Sequence, residues 1–106
     1  MVTINDFRNI EIRIGVIKEV LDHPNADKLY VVKVDMGDKE KQLVAGIKPS
    51  YPKENLVGRQ VVVVDNLEPA VILGVESQGM ILAAHDETGI VILTTERNVK
   101  PGSGVK

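Results

Sequence analysis

Ser77, His23 and His85 are the residues whose types could support catalysis. Ser77 lies in the segment G-V-E-S-Q-G, which differs from the G-x-S-x-G nucleophile elbow because Val75 replaces the first glycine. Neither histidine has a carboxylate partner at a motif spacing, and the two lie 62 positions apart in a chain without cysteine, which argues against a zinc site. Glycine-rich nucleotide-binding motifs are also missing. We therefore predict no catalytic residue, no metal ligand and no cofactor.

Lysines are the second group that could do chemistry, through binding to a polyanion. Residues 1–60 carry 10 Lys/Arg against 9 Asp/Glu, whereas residues 61–106 carry 3 against 6, for a net charge of −2. A polyanion-binding surface must therefore draw its positive charge from the first sixty residues. The lysines in question are Lys28, Lys33, Lys39, Lys41 and Lys48. A solvated lysine-rich face without a ligand is the alternative interpretation.

Aromatic residues are too few to serve as a row of stacking platforms for bases. The chain has one Phe and two Tyr, and Phe7 and Tyr30 fall in phase with the neighbouring apolar residues, which predicts that both lie in the core. Recognition of a folded RNA through its phosphates, 2′-hydroxyls and shape therefore fits better than readout of stacked bases.

The scaffold that must position these groups is predicted to be built mainly of β-strands. Thr3 and Asp6 predict the capped start of a short helix, and Pro52 and Gly58 predict another short helix that ends near Leu56. Gly15 is expected to let the long first strand bend. Alternating or continuous apolar runs predict strands near residues 10–21, 30–36, 41–45, 59–65, 80–84 and 90–94. Residues 66–79, with Pro69, Gly74 and Gly79, are expected to form a long shaped connection.

The order of these elements predicts the fold class. Three meandering strands, a short helix and further strands match an all-β, five-stranded OB-fold barrel with short helices and extra C-terminal strands, with an SH3-like barrel as the alternative. A length of 106 residues predicts a single domain over residues 1–106. The lack of cysteine, of a signal peptide and of an apolar run near the roughly 20 residues of a membrane span predicts a cytoplasmic protein.

Several segments together resemble the tRNA-binding domain family. They are D-F at Asp6, I-R-I-G at Ile12, H-P-N-A-D-K-L at His23, L-V-A-G-I at Leu43 and G-V-E-S-Q-G-M at Gly74. The family includes the C-terminal appendage of many methionyl-tRNA synthetases, a stand-alone bacterial tRNA-binding protein and a domain of a human cytokine precursor. The resemblance implies an OB fold that binds tRNA by shape rather than by anticodon, and homodimers formed by flanking segments, here residues 1–10 and 96–106. It also allows a covalently attached synthetase body.

Carried over position by position, the resemblance implies an RNA-binding set. From the resemblance it contains Lys28, Lys41, Gln42, Asn66, Ser77 and Met80, and Lys33 of the lysine group and Gln78 of the connection complete the predicted set. Departures from the family pattern are Glu68 and Val71 where cations are common, and Ala45 where serine is common. A dimerisation module with little RNA affinity, or a peptide-binding chaperone of the same fold, remain as alternatives.

Overall fold

In the computed structural model, which describes residues 1–106, most of the chain forms antiparallel β-strands. The two helical elements are α1, Ile4–Arg8, and a single 3₁₀ turn, Lys53–Asn55, and neither is long and apolar enough to cross a membrane. The strands are β1 Ile12–Asp22, β2 Tyr30–Asp35, β3 Glu40–Ala45, β4 Gln60–Val64, β5 Ala70–Ile72, β6 Val75–Ser77, β7 Met80–Ile81, β8 Ala83–Asp86, β9 Gly89–Ile92 and β10 Gly104–Val105.

Strand β1 is the centre of the main sheet, whose order is β3-β2-β1-β4-β7. The first half of β1 pairs with β4 along one edge and with β10 along the other, and its second half pairs with β2. The sheet curls until β3 faces the segment that joins β6 to β7. The result is a nearly closed five-stranded barrel with an added C-terminal strand, which confirms the predicted OB-like fold.

The barrel interior is filled by aliphatic side chains from every long strand. Strand β4 reads Q-V-V-V-V and is buried along its whole length, as expected for a strand covered on both faces. Tyr30 is also buried, which confirms its predicted place in the core. The fully buried side chains are Ile17, Val32, Val34, Met36, Leu43, Leu56, Val61 and Val63.

Gly15 allows a close approach between β1 and β2. A Cβ at this position would collide with Val34 Cγ1 and would lie 2.9 Å from Met36 Sδ. The irregularity in β1 lies further along, where the register with β2 shifts between Ile17 and Glu19. The sequence predicts the need for a small residue in this strand, but it does not show which neighbour packs against the missing side chain.

The connection over residues 66–79 is not a plain loop, because it contains the β5–β6 hairpin. The predicted strand over 80–84 is split at Leu82, whose N–H donates to Val62 O on β4 and whose carbonyl accepts from Leu93 N beyond β9. Leu82 thus connects strand β7 of the barrel to the β8–β9 hairpin. The second predicted helix is reduced to the 3₁₀ turn, since the chain there forms successive turns.

Helix α1 begins as predicted. Thr3 Oγ1 accepts from Asp6 N at 3.1 Å and Asp6 Oδ2 accepts from Thr3 N at 3.0 Å, a complete capping box. Phe7 was wrongly predicted to lie in the core, because it is 39% exposed and lines a groove between this helix and β10. Helical periodicity shows which residues share a face but not whether that face meets the same chain.

Candidate nucleic-acid interface

The junction between β3 and residues 76–79, called the seam below, is closed largely by side chains. Ser77 is buried, and its Oγ accepts from Val44 N at 3.0 Å and donates to Gly79 O at 3.0 Å. Gln78 Oε1 accepts from Gln42 N at 2.8 Å, and Gln78 N donates to Gln42 O at 2.8 Å. These side-chain oxygens take the place of strand carbonyls for the free edge of β3. A Cβ on Gly79 would lie 2.7 Å from Val64 O, so glycine is needed for the seam to close.

A small polar pocket of about 240 Å³ opens beside the seam. Gln42 bridges it, since its Nε2 donates to Glu76 O at 2.8 Å and its Oε1 accepts from Lys33 Nζ at 2.6 Å. Two lysines and two glutamates face the pocket, so their formal charges cancel. Such a pocket offers hydrogen bonds rather than phosphate neutralisation. Its lining is Lys33, Glu40, Lys41, Gln42, Glu76 and Gln78.

Behind the pocket lies a buried ion cluster centred on Asp65, whose side chain is 2% exposed. Arg13 Nη1 donates to Asp65 Oδ2 at 3.0 Å, and Lys39 Nζ lies 3.3 Å from the same oxygen. Lys41 Nζ lies 2.6 Å from Asp65 Oδ1 as an ion pair, while it donates to the backbone carbonyls of Asp65 and Gln78. The ammonium of Lys41 is therefore already surrounded by oxygens of its own chain.

Two opposing effects set the pKa of Asp65. Burial raises it, but the adjacent ammonium of Lys41 and guanidinium of Arg13 lower it further, so that the pKa falls to about 2. The carboxylate thus stays charged at neutral pH and holds three cations. Consequently, the lysine-rich face predicted from sequence is less positive than the number of its lysines indicates. Lys48 lies 3.1 Å from Asp22 in a more exposed ion pair, and Asp22 also pairs with Lys53.

The loop between β1 and β2 carries the exposed Lys28, which forms no ion pair. The same loop holds the tip of the β5–β6 hairpin. His23 Nε2 lies 2.9 Å from Ile72 O, and Asn25 Nδ2 donates to Leu73 O at 3.0 Å. The loop and the hairpin therefore form one continuous surface with Lys28 close to it.

Asn66 and Met80, the remaining members of the predicted set, lie at the foot of the connection. Asn66 Oδ1 accepts from Glu11 N at 2.8 Å and its Nδ2 donates to Asn9 O at 2.7 Å, so that it ties α1 to the barrel. Met80 pairs with Val64 in the sheet and is 47% exposed. Glu68 and Val71, the two departures from the family pattern on this connection, are both exposed. The outer face of the connection therefore carries no cation.

A separate groove of about 690 Å³, called the helix groove below, lies between α1 and β10. It brings together the two segments predicted to flank the domain, residues 1–10 and 96–106. Gln60 and Arg13 hold the second segment in place. Gln60 Nε2 donates to Val99 O at 2.6 Å and Arg13 Nε to Gly102 O at 3.0 Å. The exposed apolar side chains of the two segments include Ile4, Phe7, Ile10 and Val105.

The structure places Lys33, Lys41, Gln42 and Gln78 around the polar pocket and Asn66 at the helix groove, so the predicted RNA-binding residues have different surroundings. Hydrogen bonds within the chain engage Lys33, Lys41, Gln42, Asn66, Ser77 and Gln78, whereas Lys28 has none and Met80 is half exposed. Sequence reasoning missed Asp65 and Arg13 as the centre of the ion cluster. The only signal was one acidic residue directly after the all-apolar strand β4.

Comparisons with known proteins agree with this architecture. The family described as "Putative tRNA binding domain" matches residues 12–104. The chain is 53% identical over 105 residues to a methionine–tRNA ligase of Pyrococcus furiosus, covering 99% of this chain and 14% of that enzyme. A methionyl-tRNA-synthetase-related protein of Pyrococcus horikoshii superimposes with a TM-score of 0.92 at 31% identity, covering 100% of this chain and 98% of the other. The chaperone CsaA of Picrophilus torridus superimposes with a TM-score of 0.93 at 35% identity over all of both chains. Sequence and fold agree over nearly the whole length, and the chain belongs to the tRNA-binding domain family.

Proposed function

We propose that this chain is a non-catalytic tRNA-binding and dimerisation domain of the cytoplasm, the C-terminal domain of a methionyl-tRNA synthetase that assists tRNA capture. The observation that carries the proposal is the family match over residues 12–104. The chain spans only 14% of the length of the methionine–tRNA ligases that it matches, and its structure contains no arrangement of Ser77 with a histidine base, since Ser77 binds the backbone of β3. A supporting role next to a separate catalytic body fits both observations.

Binding by shape rather than by sequence is supported by the chemistry of the exposed groups. Tyr30 is buried, and Tyr51 packs against the core with its hydroxyl accepting from Ile92 N at 3.1 Å, so neither tyrosine offers a stacking face. The polar pocket presents amide and carboxylate groups without net charge. These groups can form hydrogen bonds with ribose hydroxyls. Lys28 and the other lysines of this face supply a small number of contacts to phosphates. Readout of unpaired anticodon bases combines stacking on aromatic side chains with hydrogen bonds to base edges, and neither tyrosine offers a stacking platform on this face.

Dimerisation is supported by the helix groove. Ile4 and Phe7 of a five-residue helix are 62% and 39% exposed, although so short a helix is marginal without a packing partner. Val105 lies on the two-residue strand β10 at the edge of the main sheet. A second copy, packing its own helix into the groove, would cover both segments at once through a twofold interface.

Titration of the purified chain with two unrelated tRNAs, at about 50 mM and 200 mM salt, tests the RNA-binding part of the proposal. We expect both tRNAs to bind with similar Kd values and both affinities to fall with salt, because released counterions drive the binding. A double-stranded DNA of equal length serves as the control, since its groove geometry differs from that of folded RNA. No binding at low salt, or binding of one tRNA alone, would contradict the proposal. A dimer without RNA affinity would instead support the alternative of a pure dimerisation module.

Light scattering at micromolar concentration tests the dimer. We expect a particle of about twice the 11.6 kDa chain mass, and a monomer for the variant Phe7→Asp, because an interfacial charge without a partner is costly. Val57→Asp is the matched control, since Val57 is a 52% exposed apolar residue remote from the helix groove. A monomeric parent chain would overturn the proposed dimer.

A chaperone role is the second candidate, favoured by the full-length superposition on the Picrophilus torridus chaperone. A chaperone of this kind would suppress the aggregation of an unfolded client protein at stoichiometric amounts, which can be followed by turbidity. We expect no suppression beyond that of an inert protein of equal mass. Suppression that competes with tRNA would place both activities on one surface and would displace the synthetase-domain proposal.

A further inference from the structure

The tip of the β5–β6 hairpin has an unusual backbone conformation. Leu73 and Gly74 have φ values of +48° and +90°, the two positive values of a type I′ turn, and Leu73 is the only residue other than glycine in the chain with positive φ. Asparagine, aspartate and glycine are the usual residues at such a position, because glycine has no Cβ and the short polar side chains of the other two can hydrogen-bond locally. A leucine there is strained.

Burial does not compensate for this strain, since Leu73 is 60% exposed. A branched apolar side chain is thus held in an unfavourable conformation and directed outward at the end of a hairpin. Strained residues of this kind tend to occur where the side chain has a role outside its own fold. The feature does not follow from the packing of the barrel.

Two residues of the β1–β2 loop hold the tip in place, and we call this contact the clasp. Asn25 Nδ2 donates to Leu73 O at 3.0 Å, and His23 Nε2 lies 2.9 Å from Ile72 O. The other ring nitrogen of His23, Nδ1, accepts from Asn25 N at 3.0 Å. A backbone N–H can only donate, so Nδ1 must be unprotonated and Nε2 must carry the proton that it donates to Ile72 O.

The clasp matters because the hairpin has little else to fix its tip. Strands β5 and β6 have three residues each and form a sheet of their own, which apart from the clasp is attached to the barrel at the seam near Ser77. A two-stranded hairpin of this size is marginal without outside support. Lys28 lies three residues after Asn25, so the clasp joins the tip to the loop that carries this free ammonium.

We propose that Leu73 is a tRNA-contact residue and that His23 and Asn25 are the positioning residues that present it. The inference rests on the proposed tRNA-binding function and names a specific apolar contact within it. Leu73 packs against the face of a base or ribose while Lys28 binds a neighbouring phosphate, so that the loop and the hairpin act as one surface. Apolar side chains serve in this way where proteins press against nucleic-acid bases.

Variants that separate strain, contact and positioning test the proposal on the whole chain. Leu73→Asn relieves the backbone strain and removes the apolar contact, so we expect unchanged or higher thermal stability with about fivefold weaker tRNA binding, the low end of what a lost base contact costs. Asn25→Ala should weaken binding by a similar factor and speed amide hydrogen exchange in the hairpin. The double variant should bind tRNA no more weakly than whichever single variant binds less tightly, because both substitutions remove the same contact. Leu93→Asn, at a 42% exposed leucine elsewhere, is the control and should bind as the parent chain does.

A measurement without RNA accompanies these titrations. Long-range ¹⁵N NMR spectra should show His23 as the Nε2–H tautomer, and an Nδ1–H tautomer would overturn the clasp. If the parent chain binds tRNA and Lys28→Ala weakens it, but Leu73→Asn binds as the parent does, this inference fails while the proposed function stands. Additive losses for Asn25→Ala and Leu73→Asn would contradict the positioning role. If the parent chain itself does not bind tRNA, the proposed function and this inference fail together.

Discussion

The two ends of the β5–β6 hairpin show how differently similar residue types can be used. At its base, the seam and the Asp65 cluster engage Ser77, Gln78 and Lys41 in hydrogen bonds and ion pairs within the chain. At its tip, the β1–β2 loop leaves Lys28 unpaired and Leu73 exposed. Both ends contain residues that the family pattern singles out.

A family motif can therefore include residues that hold a binding surface together as well as residues that touch the ligand. In G-V-E-S-Q-G-M, the serine and the second glycine close the barrel, since Ser77 binds β3 and Gly79 allows the approach to Val64. Buried polar groups are costly when unpaired, so such positions are constrained whether or not RNA is present. Free cations at a loop are constrained only by the ligand.

Removal of the Asp65 charge should have the largest effect on the base of the hairpin. Asp65→Asn leaves Arg13 and Lys41 without their buried counter-ion, and we expect a loss of about 3–5 kcal/mol in the free energy of unfolding. Urea denaturation followed by circular dichroism measures it. Glu68→Gln, at an exposed carboxylate on the same connection, is the control and should change stability by less than about 0.5 kcal/mol. An equally small change for Asp65→Asn would mean that the cluster does not stabilise the barrel.

Acid should weaken the same cluster. The pKa of Asp65 is lowered from 3.8 to about 2 in the folded chain, so its contribution is complete above about pH 4 and is lost as the pH falls towards 2. The shift corresponds to roughly 2 kcal/mol at about 1.4 kcal/mol for each pKa unit. Between pH 5 and pH 2, the free energy of unfolding, measured by urea denaturation at each pH, should therefore fall more steeply in the parent chain than in Asp65→Asn. Parallel pH profiles would show that another group dominates acid unfolding.

Removal of the Ser77 hydroxyl tests how much the seam stabilises the barrel. Ser77→Ala leaves Val44 N–H without its acceptor, and we expect a loss of about 1–3 kcal/mol in unfolding free energy with tRNA affinity nearly unchanged. Ser103→Ala is the control, because Ser103 Oγ bonds only Lys100 O within its own turn. The opposite outcome, weaker binding at full stability, would place Ser77 at the RNA surface.

The sequence predicts much of the barrel because its signals are local. Alternation in β1 and β2, the apolar block of β4 and the Thr3–Asp6 capping box each depend on neighbouring residues. The β5–β6 hairpin was missed since its strands have three residues each and its turn is Leu-Gly rather than Asn-Gly. No short-range pattern marks such a turn.

The candidate site could be predicted only as a set of positions. Lys41 and Lys28 are equivalent in sequence, both lysines near a strand end, and only the fold shows that Asp65, 24 residues further on, neutralises one of them. Likewise, Phe7 follows the apolar phase of its helix, but it lies outside the core of the barrel. Charge pairing and exposure between distant segments depend on tertiary structure, which composition does not encode.

Substitutions near the tip of the hairpin should change the affinity for tRNA rather than the stability of the fold. Lys28→Ala removes a free ammonium, so we expect tRNA affinity to fall about fivefold and the salt slope to become shallower by about 0.7 to 0.9, the value of one phosphate contact. Thermal stability should stay within about 0.5 kcal/mol of the parent, as for other exposed side chains. Lys18→Ala is the control, since Lys18 is also exposed and unpaired but lies on β1 away from the hairpin. Equal losses for both variants would show that only overall charge matters.

The smallest predicted effect is a gain at Glu68, between the two ends. Glu68 is exposed on the connection that precedes β5, at a position where the family commonly has a cation. Glu68→Lys changes the local charge by two, so we expect tRNA affinity to rise about threefold at low salt and the gain to shrink at 200 mM salt, where exposed charges are screened. Glu87→Lys, on the turn between β8 and β9, makes the same change in net charge elsewhere. A larger gain at position 68 than at position 87 would place the connection against RNA, whereas equal gains would restrict the RNA surface to the Lys28 loop and the hairpin tip.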